Sequence, residues 1–117
     1  AASCMVQEAV KAAEALEKEG ISCEVVDLRT LKPLDLEAII KSVEKTGRAV
    51  VSIAEWGYAS VAASVVKGIY DEMFGRLKAP VQMVTLPDCP APASRSLEEA
   101  YYIDAEDIES AVRRAIL

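Results

Sequence analysis

The sequence predicts an α/β domain: a three-layer α/β/α arrangement around a mostly parallel sheet of four to five strands. Short apolar runs at 23–28, 49–54 and 81–86 are rich in Val, Ile and Leu, as strands covered on both faces are. Between them lie segments whose apolar residues recur at three- and four-residue steps, the period of a helix with one buried stripe. With 117 residues and 52% hydrophobic content, the chain is sized for one domain with its own core.

The first helix is expected over Met5 to Glu19, with Ser3 as N-cap and Gly20 as a left-handed stop. Val6, Ala9, Val10, Ala13 and Leu16 form its inward stripe, and Gln7, Glu8, Lys11, Glu14 and Lys18 its wet face. Such a helix ordinarily follows a strand, and only Ala1 to Ser3 stand before it. The first strand is therefore read as truncated and the chain as a fragment of something longer. Cys23 to Leu28 reads as the next strand, with Glu24 and Asp27 near its ends or at an edge.

Pro33 blocks an earlier helix start, Asp35 caps, and Leu36, Ile39, Ile40 and Val43 make the stripe of a second helix that Gly47 stops. Ala49 to Ala54 is a strand. Gly57 marks a turn before a long helix from Ser60 to Leu77, with Val61, Val65, Ile69, Met73 and Leu77 at four-residue steps. Pro80 opens a strand over Val81 to Leu86. Pro87 to Pro92 continues neither element, because proline fixes φ and lacks a donor. The last helix starts at the cap Asp104 and buries Ile108, Ala111, Val112, Ala115 and Ile116, with Arg113 and Arg114 at its negative end.

Composition removes several function classes. With no histidine, the usual general base, every Ser-His or Cys-His pair and the commonest zinc ligand are missing. A formal charge of -6 with no basic run beyond Arg113-Arg114 argues against nucleic acid, which demands clustered cations. No apolar stretch approaches the roughly 18 residues of a membrane span. Cys4, Cys23 and Cys89 have neither C-x-x-C spacing nor an even count. They read as buried or half-buried thiols of a cytoplasmic protein.

Glu55, Trp56, Gly57 and Tyr58 follow a strand's C-terminal end, where open α/β sheets place ligands and partners. They are the candidate interface, and the same residues equally suit a packed corner. Ser3 and Cys4 offer a helix N-terminus to an anion, though simple capping accounts for them better. Asp27, Arg29 and Asp35 are read as a structural ion-pair network around the Leu31–Leu34 turn.

Several motifs also occur in a fixed order: M-V-x-E-A-x-x-A-A-E-x-L from Met5, D-L-R-T-L-x-P-L-D from Asp27, K-T-G-R from Lys45, F-x-x-L-x-A-P from Phe74 and D-x-P-x-P from Asp88. In that order they resemble the C-terminal domain of transketolase-type thiamine-diphosphate enzymes, and most closely the beta subunit of 2-oxo acid (pyruvate or branched-chain) dehydrogenases. The chain departs from that pattern where Ser60, Ala62 and Ser64 replace two glycines and a glutamate.

The resemblance implies a non-catalytic assembly domain. The parent would decarboxylate a 2-oxo acid and pass the acyl group to lipoyl, using thiamine diphosphate and Mg2+ held by other domains. No catalytic, cofactor-binding or metal residue is then expected in this segment. Implied partners are an alpha subunit or upstream domains, further copies in a homo-oligomer, and the dihydrolipoyl acyltransferase core. Its small basic binding domain would dock near the acidic Glu106, Asp107 and Glu109 and the carboxylate of Leu117; a solvated acidic face is the plainer account of these residues. Other transketolase-type enzymes, including transketolase and deoxyxylulose-phosphate synthase, share the domain. A free-standing small-ligand module is the remaining alternative, and it lacks a glycine-rich phosphate loop.

Overall fold

Two parallel strands, β1 (Val50–Trp56) and β2 (Gln82–Leu86), separate two helical layers in the computed structural model, which describes residues 1–117. Helices α1 (Met5–Glu17) and α5 (Ala105–Ile116) cover one face; α2 (Leu36–Thr46) and α3 (Val61–Met73) cover the other, and a short α4 (Arg95–Tyr101) follows β2. Side chains alternate along β1. Val51 and Ile53 enter the core built with Ile39, Val43, Val65, Ile69 and Met73. Val50 leans toward the second core of Met5, Ala9, Ala12, Val84, Ile108 and Ala111.

Local signals set most helix ends. The Asp35 carboxylate accepts the Ala38 N–H at 3.1 Å, and Gly47 closes α2 at φ 70°. Asp104 accepts the amides of Glu106 and Asp107, and Asp107 accepts the Asp104 N–H at 3.0 Å, completing a capping box. Gly20 has the expected left-handed φ of 81°. Segment 87–92 is mostly exposed and enters no helix or strand, as its prolines require. It bends at Asp88 and Cys89, where the Cys89 N–H donates to the Pro87 carbonyl at 2.8 Å, instead of running extended.

The α/β class holds, but the regular sheet has two strands where four to five are expected. Residues 23–28 are extended without forming a ladder, because their sole backbone neighbour is Ala1. The stripe of α1 is Met5, Ala9, Ala12 and Leu16, while Val10 is exposed. Alanines face α5 because they let the two helices approach closely. Helix α3 ends at Met73, short of Leu77, because Phe74 leaves the helical region at ψ 130° and Gly75 follows at φ 82°. Ser3 sits at φ 55° and makes no cap; Cys4 stands at that position, also without a side-chain bond. Cys4 and Cys89 are exposed rather than buried, and only Cys23 is half-buried. Arg29 pairs with Asp27 at 3.1 Å, but Asp35 serves its helix, so the expected three-residue network is not formed.

Glu8 joins the outer layer together. Its carboxylate accepts from Lys11 Nζ at 2.7 Å and from the Ala105 N–H at 3.1 Å. The Lys11 hydrogen bond, reinforced by its charge and the Ala105 amide against partial desolvation, holds the Glu8 carboxyl below its ordinary pKa. A depressed carboxyl stabilises the fold above its unfolded pKa and loses that contribution as pH falls through the folded value. Glu8→Gln is therefore expected to be less stable than the parent at pH 7. The gap should shrink as pH drops below about 4.3, the ordinary glutamate value, in urea titrations across a pH series.

A candidate partner surface at the strand ends

Because β1 and β2 are parallel, both deliver their C-terminal ends to one edge, with Trp56 in register with Leu86. The register shifts between Ser52 and Trp56, a local irregularity of the kind that re-aims side chains at a sheet's rim. Beyond it, Glu55 turns back to the start of α3, where its Oε1 accepts the Ala62 N–H at 2.7 Å. Ser60 Oγ accepts the Ala63 N–H at 3.1 Å and donates to the Gly57 carbonyl at 3.1 Å. Gly57 lies so close to β2 that a Cβ there would stand 3.0 Å from Thr85 Oγ1. Glu55 and Gly57 thus shape the corner.

Trp56 and Tyr58 face outward from it. Their rings stack with centroids 6.0 Å apart and planes 12° from parallel, and they are 41% and 59% exposed. The indole N–H of Trp56 is shared between the Cys89 carbonyl and the Tyr101 hydroxyl, each at 3.2 Å. Tyr101 is buried and meets Tyr102 edge-on at 5.1 Å, and Tyr102 is half exposed. Hydrogen bonds thus pin the exposed Trp56 to the proline-rich segment and to α4. Rigid amphipathic rings of this kind anchor protein partners. Tyr101, Tyr102 and the Cys89 backbone were missed in the sequence. The available signal was Leu97 and Tyr101 at helical spacing behind Ser94, which marks α4.

The acidic residues are spread along one helix. Glu106 and Asp107 occupy the first turn of α5, Glu109 pairs with Arg113 at 3.2 Å, and Leu117 is fully exposed beyond the other end. Ten helical steps separate Asp107 from Leu117, about 15 Å at the usual rise. The structure therefore brings Glu106 and Asp107 together and leaves Leu117 apart.

The residues present do not fit a diphosphate or its metal. No three His, Cys, Asp or Glu side chains gather in a metal-ligating group. The amides at the starts of α2, α3 and α5 are taken by Asp35, by Glu55 and Ser60, and by Asp104 and Glu8. No helix is long and apolar enough to cross a membrane.

Helices on both faces of a parallel strand pair, with exposed aromatic side chains at the strand ends, define a layered α/β domain. Residues 1–108 match the family model described as "Transketolase, C-terminal domain", and the chain belongs to that family. It is 46% identical over 112 residues to the pyruvate dehydrogenase E1 component subunit beta of Bacillus subtilis (strain 168), covering 96% of this chain and 34% of that protein. It is 42% identical to the acetoin:2,6-dichlorophenolindophenol oxidoreductase subunit beta of Cupriavidus necator, covering 96% and 33%. A solved "Split gene transketolase, inactive beta4 tetramer" superposes with TM-score 0.82 at 30% identity, over 98% of this chain and 36% of that one. The chain thus spans about a third of the length of the curated relatives it matches.

Glu55 is a cap supplied from outside its helix. Glu55→Ala should cost about 1 kcal/mol, the usual value of a lost N-cap. Faster exchange of the Ala62 amide, read by hydrogen–deuterium exchange, should accompany the loss; unchanged exchange would show that this bond does not hold α3.

Proposed function

We propose that this is the assembly domain of a thiamine-diphosphate-dependent 2-oxo acid dehydrogenase beta subunit. It performs no chemistry itself. It holds subunits together through Trp56 and Tyr58, with Glu55 and Gly57 shaping the corner, and presents α5 to the acyltransferase core. The observation that carries this reading is the exposed Trp56–Tyr58 stack, its Trp56 fixed by hydrogen bonds while neighbouring Glu55 serves as a cap. The family and the beta-subunit relatives support it. Thiamine diphosphate and Mg2+ belong to the rest of the parent enzyme, which we place in the cytoplasm. An alpha subunit or upstream domains, together with further beta subunits, would lie against the aromatic surface.

The core's small basic domain would meet Glu106 and Asp107, with Glu109 and the Leu117 carboxylate further along the same helix. The chain's net charge of -6 suits a basic partner, and opposite charge acts chiefly on association rate.

The test uses the full beta subunit with its alpha partner. Paired Trp56→Ala and Tyr58→Ala changes should shift sedimentation from the assembled enzyme toward smaller species. A fully assembled double variant would overturn the assembly role. Surface plasmon resonance against the acyltransferase's binding domain should show that Glu106→Gln with Asp107→Asn mostly lowers the association rate. Thermal melts of the same variants control for lost helix-end stability, about 0.3–1 kcal/mol per charge. Binding insensitive to salt and to these changes would place docking elsewhere.

A further inference from the structure

Eight of the chain's 13 lysines and arginines pair with a carboxylate. Three of those that do not, Arg48, Lys78 and Arg114, meet at the corner where both strands begin. The Lys78 N–H donates to the Gly47 carbonyl at 2.8 Å, and its stem lies across that glycine, with Cγ 3.0 Å from where a Cβ would stand. Arg48 follows Gly47, and its Nε donates to the Ala115 carbonyl at 2.9 Å. Beside Ala115, Arg114 Nε donates to Gln82 Oε1 at 3.3 Å, and the Gln82 N–H donates to the Ala49 carbonyl at 3.1 Å. The end of α2, the entries to β1 and β2 and the end of α5 thus gather the three cations.

Their donors are only partly used. Arg48 also turns Nη1 to the Thr46 carbonyl at 3.4 Å, but both Nη groups of Arg114 and the Lys78 ammonium have no partner in the chain. Holding the carbonyl end of α5 accounts for Arg48. It does not account for Lys78, which lies in the loop before β2, or for the free edge of Arg114. Lys78 and Arg114 are exposed, and Phe74, 86% exposed, stands on the turn that leads to Lys78. The acids Glu44, Glu24 and Glu19 are held by Arg76, Lys45 and Arg113, and Glu17 and Glu72 lie on the exposed last turns of α1 and α3. A positive corner thus persists in a chain whose net charge is -6.

We propose that this corner is a docking site for an acidic polypeptide segment with two carboxylates one residue apart. Gly47 and Ala49, to which Lys78 and Gln82 are bonded, stand about 7 Å apart at the usual strand rise. In an extended chain, residues two apart have the same spacing and point to the same side. One carboxylate therefore meets Lys78, and the other takes the paired Nη groups of Arg114, the geometry a guanidinium offers an acid. An apolar neighbour in the segment covers Phe74. The chain's overall negative charge repels a long polyanion such as nucleic acid. A segment with only a few charges meets the local field of the corner, within about a Debye length of 8 Å. Glu106 and Asp107 lie at the opposite end of α5 and suit a basic partner, so the two sites are separate.

The test uses the full-length protein that contains this domain and fluorescence anisotropy at low ionic strength. The probe is labelled Leu-Ser-Glu-Ser-Glu-Ser-Leu, with the same peptide carrying Gln for Glu, and a single-stranded oligothymidylate, as comparisons. The Glu peptide should bind and the Gln peptide should not. Lys78→Gln with Arg114→Gln should weaken binding about tenfold, the size of two exposed charge pairs, with an unchanged melting temperature. Phe74→Ala should weaken it as well. Lys32→Gln with Arg95→Gln removes the same charge at the other end of the molecule and should leave binding intact. Equal weakening by the two double variants would overturn the proposal, since net charge alone would then explain it. Equal binding of the Glu and Gln peptides would also overturn it. Tighter binding of the oligothymidylate, lost with Lys78 and Arg114, would overturn it by assigning the corner to nucleic acid.

Discussion

The parallel pairing of Val50–Ser52 with Gln82–Val84 sets the position of both helical layers. Parallel strands are stable only when both faces are covered. Here α3 makes the crossover between β1 and β2, so closing the ladder also seats α3, and α2 packs beside it. Around the strand entry, Gln82 N–H donates to the Ala49 carbonyl, Lys78 N–H to Gly47, and Arg48 Nε to the Ala115 carbonyl at the end of α5. The last of these joins the ladder to a helix far away in sequence. A single ladder thus organises both faces.

That arrangement explains which elements the sequence reveals. Helix α2 is legible almost residue by residue because Asp35, Pro33 and Gly47 act on their immediate neighbours. The α5 start is legible for the same reason, through Asp104 and Asp107. Segment 23–28 has the composition of a strand, but a ladder depends on a neighbour that composition does not show. The phase of α1 is misjudged because Val6 and Val10 are better apolar residues than Ala12. Close helix contact favours the smaller side chain, a tertiary choice invisible along one helix. Helix α4 escapes notice because Arg95–Tyr101 is short and lies in a stretch dominated by prolines and serines.

The candidate surface divides the same way. Its position near a strand's C-terminal end follows from the order of elements, although β1 runs on through Glu55 and Trp56 and only Gly57 and Tyr58 lie past it. Their division of labour does not follow. Glu55 is spent on the Ala62 amide and Gly57 on passage beside Thr85, which leaves Trp56 and Tyr58 to face outward. Tyr101 lies 45 positions from Trp56, and no local pattern links them. Ser60 has a visible use, since its hydroxyl caps α3 and joins the turn at Gly57.

Charge and aromatic surface would contribute differently to any contact this domain makes. Most of its cations sit in exposed pairs, such as Lys41 with Glu37, Lys45 with Glu24 and Arg76 with Glu44. Exposed pairs contribute little to stability. They do neutralise each other locally, so the residual negative charge is set by acids without a cation, among them Glu106 at the start of α5. Charges of that kind act over about a Debye length, near 8 Å in physiological salt, and raise encounter rates more than they hold a complex. Burying the stacked rings of Trp56 and Tyr58 acts at contact and is insensitive to salt. In the proposed enzyme, stable subunit assembly would therefore rest on the rings, and exchangeable docking on the acids of α5.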